Sequence, residues 1–184
     1  IIDSLLHMAL SPCMVISNTD IKSMKIIGKV MGLLGFVFVD RSRRKSIQEL
    51  LDPTILMITK SQVNMSFFPE GKSNDGVEIH PFKTPFFKIA IDSHSGVQPL
   101  AFRWTHANGS ALTQEQLRFF TYFVTDGSIV LHLINILGLR KKRLSVKVLD
   151  TISSEEISKN SWDRKDVSQQ SEASVRAAMA EEAW

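Results

Sequence analysis

Two apolar runs in this chain stop abruptly in charge. Val37-Phe38-Val39 gives way to Asp40-Arg41, and Phe67-Phe68 gives way to Pro69-Glu70-Gly71-Lys72-Ser73. An arginine fork at a strand end matches phosphate oxygens, because its planar donors can bind two of them at once. A glycine between an acid and a base can take positive φ or let a ligand approach the backbone. Proline does not continue a strand interior, so Pro69 marks the end of the second run. In α/β sheets ligands bind just beyond such ends. Both strings are therefore candidate anion or polar-ligand sites, with Arg41 placed directly at a strand end. Its neighbours Arg43, Arg44 and Lys45 read as a solvated helix start. A second basic run, Arg140-Lys141-Lys142-Arg143, follows the apolar segment Ile129 to Leu139. It suits either an anionic bilayer surface or a helix C-terminus, where cations are favoured.

Other chemistries find no support in the sequence. The five histidines are His7, His80, His94, His106 and His132, and none has metal-ligand spacing with another His or Cys. There is no G-x-S-x-G, no Gly-rich phosphate loop and no cysteine-based zinc pattern. The single cysteine, Cys13, allows no internal disulfide and fits a reducing compartment. A net charge of +3 over 184 residues favours anionic partners weakly. The basic clusters lack aromatic interleaving, so nucleic acid is not an expected partner. No uncharged apolar run is long enough to span a bilayer, since Lys29 and glycines interrupt Ile26 to Val39.

The elements that position these strings follow from hydrophobic period. Strands are predicted at Cys13 to Ile16, Phe36 to Val39, Val63 to Phe68, Val97 to Trp104 and Leu144 to Leu149, the last at a sheet edge. Leu117 to Val124 is a further candidate strand. Helices are predicted at the start of the chain, from Ile21 to Met31 after a cap at Asn18 to Asp20, and from Arg43 to Leu51, where Asp52-Pro53 stops it. Further helices are predicted around Phe82 to Ala90, with Pro81 and Pro85 at the start, and at Ser128 to Leu139, capped by Asp126 or Ser128. Asn74-Asp75-Gly76 and Asn108-Gly109-Ser110 read as turns. From Thr151 the composition turns polar. Asp163 to Glu182 is a helix with a thin apolar face (Val167, Val175, Met179), expected to be loosely held. Strands alternating with helices indicate an α/β domain over residues 1–150, a layered mixed β-sheet flanked by helices, with a polar helical extension over 151–184. Ile1 opens directly inside an apolar segment, and the chain is expected to be part of a longer polypeptide.

Taken together, these strings resemble the glycerolipid acyltransferase family. Gly35-Phe36-Val37-Phe38-Val39-Asp40-Arg41 is similar to its glycine-apolar-Asp-Arg block. Phe68-Pro69-Glu70-Gly71-Lys72-Ser73 is similar to its Phe-Pro-Glu-Gly-Thr-Arg-Ser block, with Lys72 in the Thr place and the usual Arg absent. Pro81-Phe82-Lys83 with Phe87-Lys88-Ile89-Ala90, and Val97-Gln98-Pro99-Leu100, resemble the blocks that follow. The resemblance implies a glycerolipid acyltransferase-like domain and transfer of a fatty acyl group from an acyl thioester, acyl-CoA or acyl-carrier protein, to a lysophospholipid hydroxyl. The expected conversion is 1-acyl-sn-glycerol-3-phosphate to phosphatidic acid. A lyso-ornithine lipid acceptor and a non-catalytic lipid or membrane-binding module are the alternatives. It also implies no metal, no cofactor beyond the thioester co-substrate, and work at the cytoplasmic face of a membrane. Asp3 falls on the aspartate of the family's His-x4-Asp motif, whose histidine is then expected upstream of Ile1. In this reading Asp3 orients the base, Arg41 binds the acceptor phosphate, and Glu70, Gly71, Lys72 and Ser73 shape and bind the acceptor. His7, four residues after Asp3, shares its helix face but reverses the motif's order.

Overall fold

The computed structural model describes residues 2–40, 42–72, 78–113, 115–117 and 129–181. Its elements in chain order are α1 (Ile2–Leu10), β1 (Met14–Asn18), α2 (Thr19–Lys22), α3 (Lys25–Leu33), β2 (Phe36–Val39), α4 (Arg44–Ser61) and β3 (Met65–Phe67). These are followed by α5 (Phe87–Asp92), β4 (Leu100–Ala107), β5 (Ser110–Ala111), α6 (Ile129–Gly138), β6 (Arg143–Val148), α7 (Ser154–Lys159) and α8 (Arg164–Ala180). Two compact units result. The first holds Ile1–Pro69, Lys83–Gly96 and Ser153–Ser168; the second holds Glu70–Phe82, Val97–Ile152 and Gln169–Trp184.

The first unit is built on a parallel sheet of order β2-β1-β3. Central β1 pairs Val15 with Phe36 and Ser66, and Ile16 with Val37 and Phe67. A parallel strand buried on both faces reads as a continuous apolar run, which is why β1 and β2 were visible in sequence. Successive residues point to opposite faces. Ile16 and Val39 join Leu51, Phe86 and Ile89 on one side, with Ile47, Leu50, Ile55 and Ile58 of α4 packed against them. Val15 and Phe36 join Met31 on the other, with Met8 of α1, Ile21 of α2 and Ile27 of α3. The sheet is thus sandwiched between helical layers.

Two helix expectations need correction. The helix predicted from Ile21 to Met31 breaks at Ser23-Met24 into α2 and α3. The reason is tertiary: a Cβ at Gly28 would sit 2.4 Å from the Lys22 carbonyl oxygen, so the missing side chain lets the end of α2 press against α3. The helix predicted to stop at Asp52-Pro53 instead runs on to Ser61. Pro53 is exposed, while Leu51 and Thr54 beside it are buried, and the apolar face continues through Ile55 and Ile58. An interior proline costs about 3 kcal/mol. Buried Thr54 and the partly buried Ile55 and Ile58 beyond it keep the helix against the core and work against that cost.

The second unit carries an antiparallel sheet of order β5-β4-β6, so β6 is an edge strand as expected. The pairings foreseen in one mixed sheet are therefore divided between two three-stranded sheets, and the α/β layering holds. The β4–β5 turn uses Asn108 (φ 53°) and Gly109 (φ 87°), the left-handed pair that a two-residue hairpin needs. A bulge between Trp104 and His106 interrupts the β4–β6 register. Lys142 donates from Nζ to the carbonyls of Ile136, Leu137 and Leu139 at 2.9, 3.1 and 2.9 Å. That cation therefore closes the end of α6. The later part of α8 packs Val175 and Ala178 against Ala101, with Ile79, Phe82 and Leu149 around them. The helix is anchored, contrary to the loose attachment expected from its thin apolar face. Ser168 and Ser171 are also buried, and small residues fill positions that a hydropathy reading does not count.

The turn expected at residues 74–76 and the caps expected at Asp126 and Ser128 lie outside the described residues. Of the strand expected from Leu117 to Val124, only Leu117 is described, and it is helical.

Candidate active site

In a parallel sheet every strand delivers its carboxyl end to the same edge. Asn18 of β1 pairs with Val39 of β2 there, and β3 ends alongside at Phe67. The chain leaves β2 into Asp40 and leaves β3 into Phe68-Pro69, so both charged strings begin at the edge where α/β sheets bind ligands.

The first string is a tight turn organised by Asp40. Its Oδ1 accepts hydrogen bonds from the Ser42 amide at 3.0 Å and the Ser42 hydroxyl at 2.6 Å. The Asp40 amide donates to Ser46 Oγ at 3.2 Å, and the Arg43 amide to the Asp40 carbonyl at 3.2 Å. The hydroxyl and amide of Ser42 hold the Asp40 carboxyl below its ordinary pKa. Asp40 was read from sequence only as the end of a strand. The structure makes it the residue that folds the corner bracketing position 41, an Asx-type turn. Arg41 itself lies outside the described residues. The corner feeds straight into α4, whose first turn carries no side-chain cap at Arg43.

The second string bends at Gly71, which has φ of 73°. That left-handed value is one of the two uses the sequence leaves open for this glycine, the other being close approach of a ligand to the backbone. The Glu70 carboxylate accepts the His80 amide at 2.8 Å through Oε2, closing the loop that starts at Gly71. Lys72 is exposed, and Ser73 lies outside the described residues. On the far side of the loop, the Phe82 amide donates to Glu172 Oε2 at 2.7 Å, and Arg176 donates to the Ile79 carbonyl at 2.7 Å. Sequence reasoning missed both of these α8 residues. Their i,i+4 spacing announces an ion pair with each other but nothing of the backbone they hold.

Asp3 lies in the first turn of α1 and is partly buried, beside buried Ser4. Met8, near the other end of α1, packs with Val15 and Phe36 and comes within 3.8 Å of where a Gly35 Cβ would stand. Gly35 precedes β2, so the end of α1 that bears Met8 is at the amino edge of the sheet, and Asp3 is at the opposite end of the helix. His7 is in the last turn of α1, where burial lowers its pKa. Among the described residues no cluster of three His, Cys, Asp or Glu could hold a metal, and no helix is long and apolar enough to cross a membrane.

The family model described as Acyltransferase matches residues 1–103, more than half of the chain. The chain belongs to the acyltransferase family. The matched span contains all six residues singled out from sequence, Asp3, Arg41, Glu70, Gly71, Lys72 and Ser73. The 1-acyl-sn-glycerol-3-phosphate acyltransferase of Neisseria gonorrhoeae is 27% identical over 175 residues, covering 95% of this chain and 64% of that relative. The lyso-ornithine lipid O-acyltransferase of Rhodobacter capsulatus is 28% identical over 176 residues, covering 90% of this chain and 58% of its own length. The chain thus spans less than two thirds of each of these relatives. Among solved structures, the 1-acyl-sn-glycerophosphate (LPA) acyltransferase PlsC of Thermotoga maritima aligns with TM-score 0.51 at 15% identity. That alignment covers 94% of this chain and 59% of the other, and it shows that the two share a fold. These matches establish membership of the acyltransferase family and the shared fold.

Proposed function

We propose that this acyltransferase moves a fatty acyl group from acyl-CoA or acyl-carrier protein to the free hydroxyl of 1-acyl-sn-glycerol-3-phosphate, forming phosphatidic acid. The acceptor oxygen attacks the thioester carbonyl, a C–O bond forms, the C–S bond breaks, and the hydroxyl proton leaves with the thiol. A general base is needed for the hydroxyl. In this reading it is the histidine of the motif to which Asp3 belongs, and Asp3 orients its imidazole. The step uses no metal and no covalent enzyme intermediate. Arg41, which stands between Asp40 and Ser42 in the sequence, binds the acceptor phosphate in this reading. Glu70 and Gly71 shape the acceptor loop. Lys72, in the place the family gives to Thr, offers a point charge without a fork; Ser73 completes the string.

The observation that carries this reading is the Asp40 corner at the carboxyl end of β2, in a chain whose first 103 residues match the family. Arg41→Ala tests it. The KM for lysophosphatidate is expected to rise by about tenfold or more, the worth of a charge-assisted contact, with the KM for the acyl donor unchanged. Equal rises in both would assign Arg41 a structural role. The similarity to lyso-ornithine lipid acyltransferases favours a second reading, in which the acceptor carries no phosphate. Under that reading lyso-ornithine lipid is the better substrate and Arg41→Ala leaves its KM unchanged.

The reading also puts the protein at the cytoplasmic face of a membrane, where both acyl donors and a lysolipid meet. A stripe on α3 supports a surface contact. Ile26, Val30 and Leu33 are 79, 49 and 88% exposed at i, i+4 and i+7, flanked by exposed Lys25 and Lys29. Such a stripe bordered by cations suits an anionic interface. Leu33→Glu is expected to weaken cosedimentation with phosphatidylglycerol vesicles by about tenfold. Lys25→Ala with Lys29→Ala should flatten the salt dependence of binding. Wild-type binding that ignores salt would argue against the stripe.

A further inference from the structure

We infer that Glu172 and Arg176, on α8, are positioning residues that hold the Glu70–Gly71 loop closed. This rests on the reading of that loop as the acceptor site. The segment between Ile79 and Phe82 closes the loop, and helix α8 fixes both its ends. Glu172 Oε2 takes the Phe82 amide at 2.7 Å, while Glu172 Oε1 takes Arg176 Nε at 2.8 Å. Arg176 then donates through a second nitrogen to the Ile79 carbonyl at 2.7 Å. Between these two anchors lies His80, whose amide donates to the Glu70 carboxylate. The hydrogen bond to Glu70 therefore comes from a segment whose two ends, Ile79 and Phe82, are both held by one helix far along the chain.

Apolar packing reinforces the grip, since Ile79 and Phe82 lie against Val175, Ala178 and Met179 of the same helix. The Glu172 side chain is 23% exposed, and the Arg176 side chain is 44% exposed. Burial alone would raise the Glu172 pKa, but the Phe82 amide and the Arg176 guanidinium outweigh it and leave it lowered. The carboxylate is thus charged at neutral pH, and its hydrogen bond to Phe82 is of the stronger, charge-assisted kind. An ordinary exposed i,i+4 pair would not engage two backbone groups of a distant loop.

Amide hydrogen exchange on the whole chain and steady-state kinetics on a form that carries the motif histidine test this together. In Glu172→Ala and Arg176→Ala, the His80 and Phe82 amides are expected to exchange at least about tenfold faster, because local opening is eased there. The lysophosphatidate KM should rise by about tenfold, the worth of one charge-assisted bond, with donor KM within about twofold of wild type. Glu172→Gln, which keeps an oxygen for the Phe82 amide but loses the charge, should show both effects in weaker form. Unchanged exchange at His80 and Phe82 overturns the inference. So does faster exchange with equal changes in both KM values, which marks α8 as a general support. If a form that carries the motif histidine acylates no lysophospholipid, that result alone removes the acceptor reading. Wild-type protection of His80 and Phe82 that both variants lose then still supports the clamp, and absence of that protection overturns it.

Discussion

Asp3→Asn is expected to lower kcat for acyl transfer by roughly a thousandfold or more, the scale seen when the carboxylate orienting a catalytic histidine becomes an amide. The measurement is thiol release from the acyl donor, in a form of the protein that carries the motif histidine. The acceptor KM should stay near wild type, because in the proposed mechanism Asp3 acts on the base and not on the bound lipid. The substitution is nearly isosteric. An amide can still accept a hydrogen bond but cannot stabilise the imidazolium that forms as the hydroxyl proton is taken. The fold should tolerate it. Asp3 sits in the first turn of α1, where a negative charge contributes only about 0.3–1 kcal/mol through the helix dipole. A large loss of kcat without a comparable loss of stability is therefore the signature expected. His7→Gln is the control. Burial lowers the His7 pKa, and its place in the last turn of α1 is at the other end of the helix from Asp3. His7→Gln should leave kcat within about twofold of wild type, a change of less than about 0.5 kcal/mol in barrier. A collapse of activity in that variant, with Asp3→Asn active, would reverse the assignment.

What the sequence showed of this fold follows from where its information is local. The strand at Phe36 to Val39 and the end of the run at Pro69 were legible because apolar runs, glycine and proline act on their immediate neighbours. The left-handed Gly71 was legible, as one of two uses, for the same reason. The break between α2 and α3 was not. It depends on the Lys22 carbonyl approaching Gly28, and nothing in a helical period announces a close approach of two backbones. Pro53 misled because its local cost is real, yet the apolar face on both sides of it decides the helix. At the candidate site, the two charged strings were visible as strings, but their closure was not. The group that Glu70 binds is a backbone amide, which has no sequence signature. Glu172 and Arg176 act on residues 90 and 97 positions away. Their helix is weakly amphipathic because Ser168, Ser171 and Ala178 share its buried face with only two valines, Val167 and Val175.

Phe87→Ala should have the largest effect on stability, about 3–5 kcal/mol, against total stabilities of about 5–15 kcal/mol for domains of this size. The Phe87 side chain is 2% exposed at the start of α5. Its ring meets Phe67 edge-on, with centroids 5.1 Å apart and planes at 89°. Phe67 also meets Phe86 at 5.7 Å with a 55° tilt. Phe67 is the last residue of β3, so these rings brace the strand end from which Phe68 and Pro69 depart. Truncation removes the buried ring and leaves a cavity against Phe67, and a three-residue strand has few other contacts with which to collapse into it. Urea unfolding should show a lower midpoint with little change in slope. Phe87→Leu refills much of the volume but not the edge-on contact, worth about 0.5–1.5 kcal/mol. It should therefore cost less than about half as much as alanine. If the acceptor loop depends on the brace, Phe87→Leu will also raise the lysophosphatidate KM at temperatures where the protein is fully folded. Equal stability losses in the two variants would instead assign the energy to the ring's contact with Phe67 rather than to filled volume.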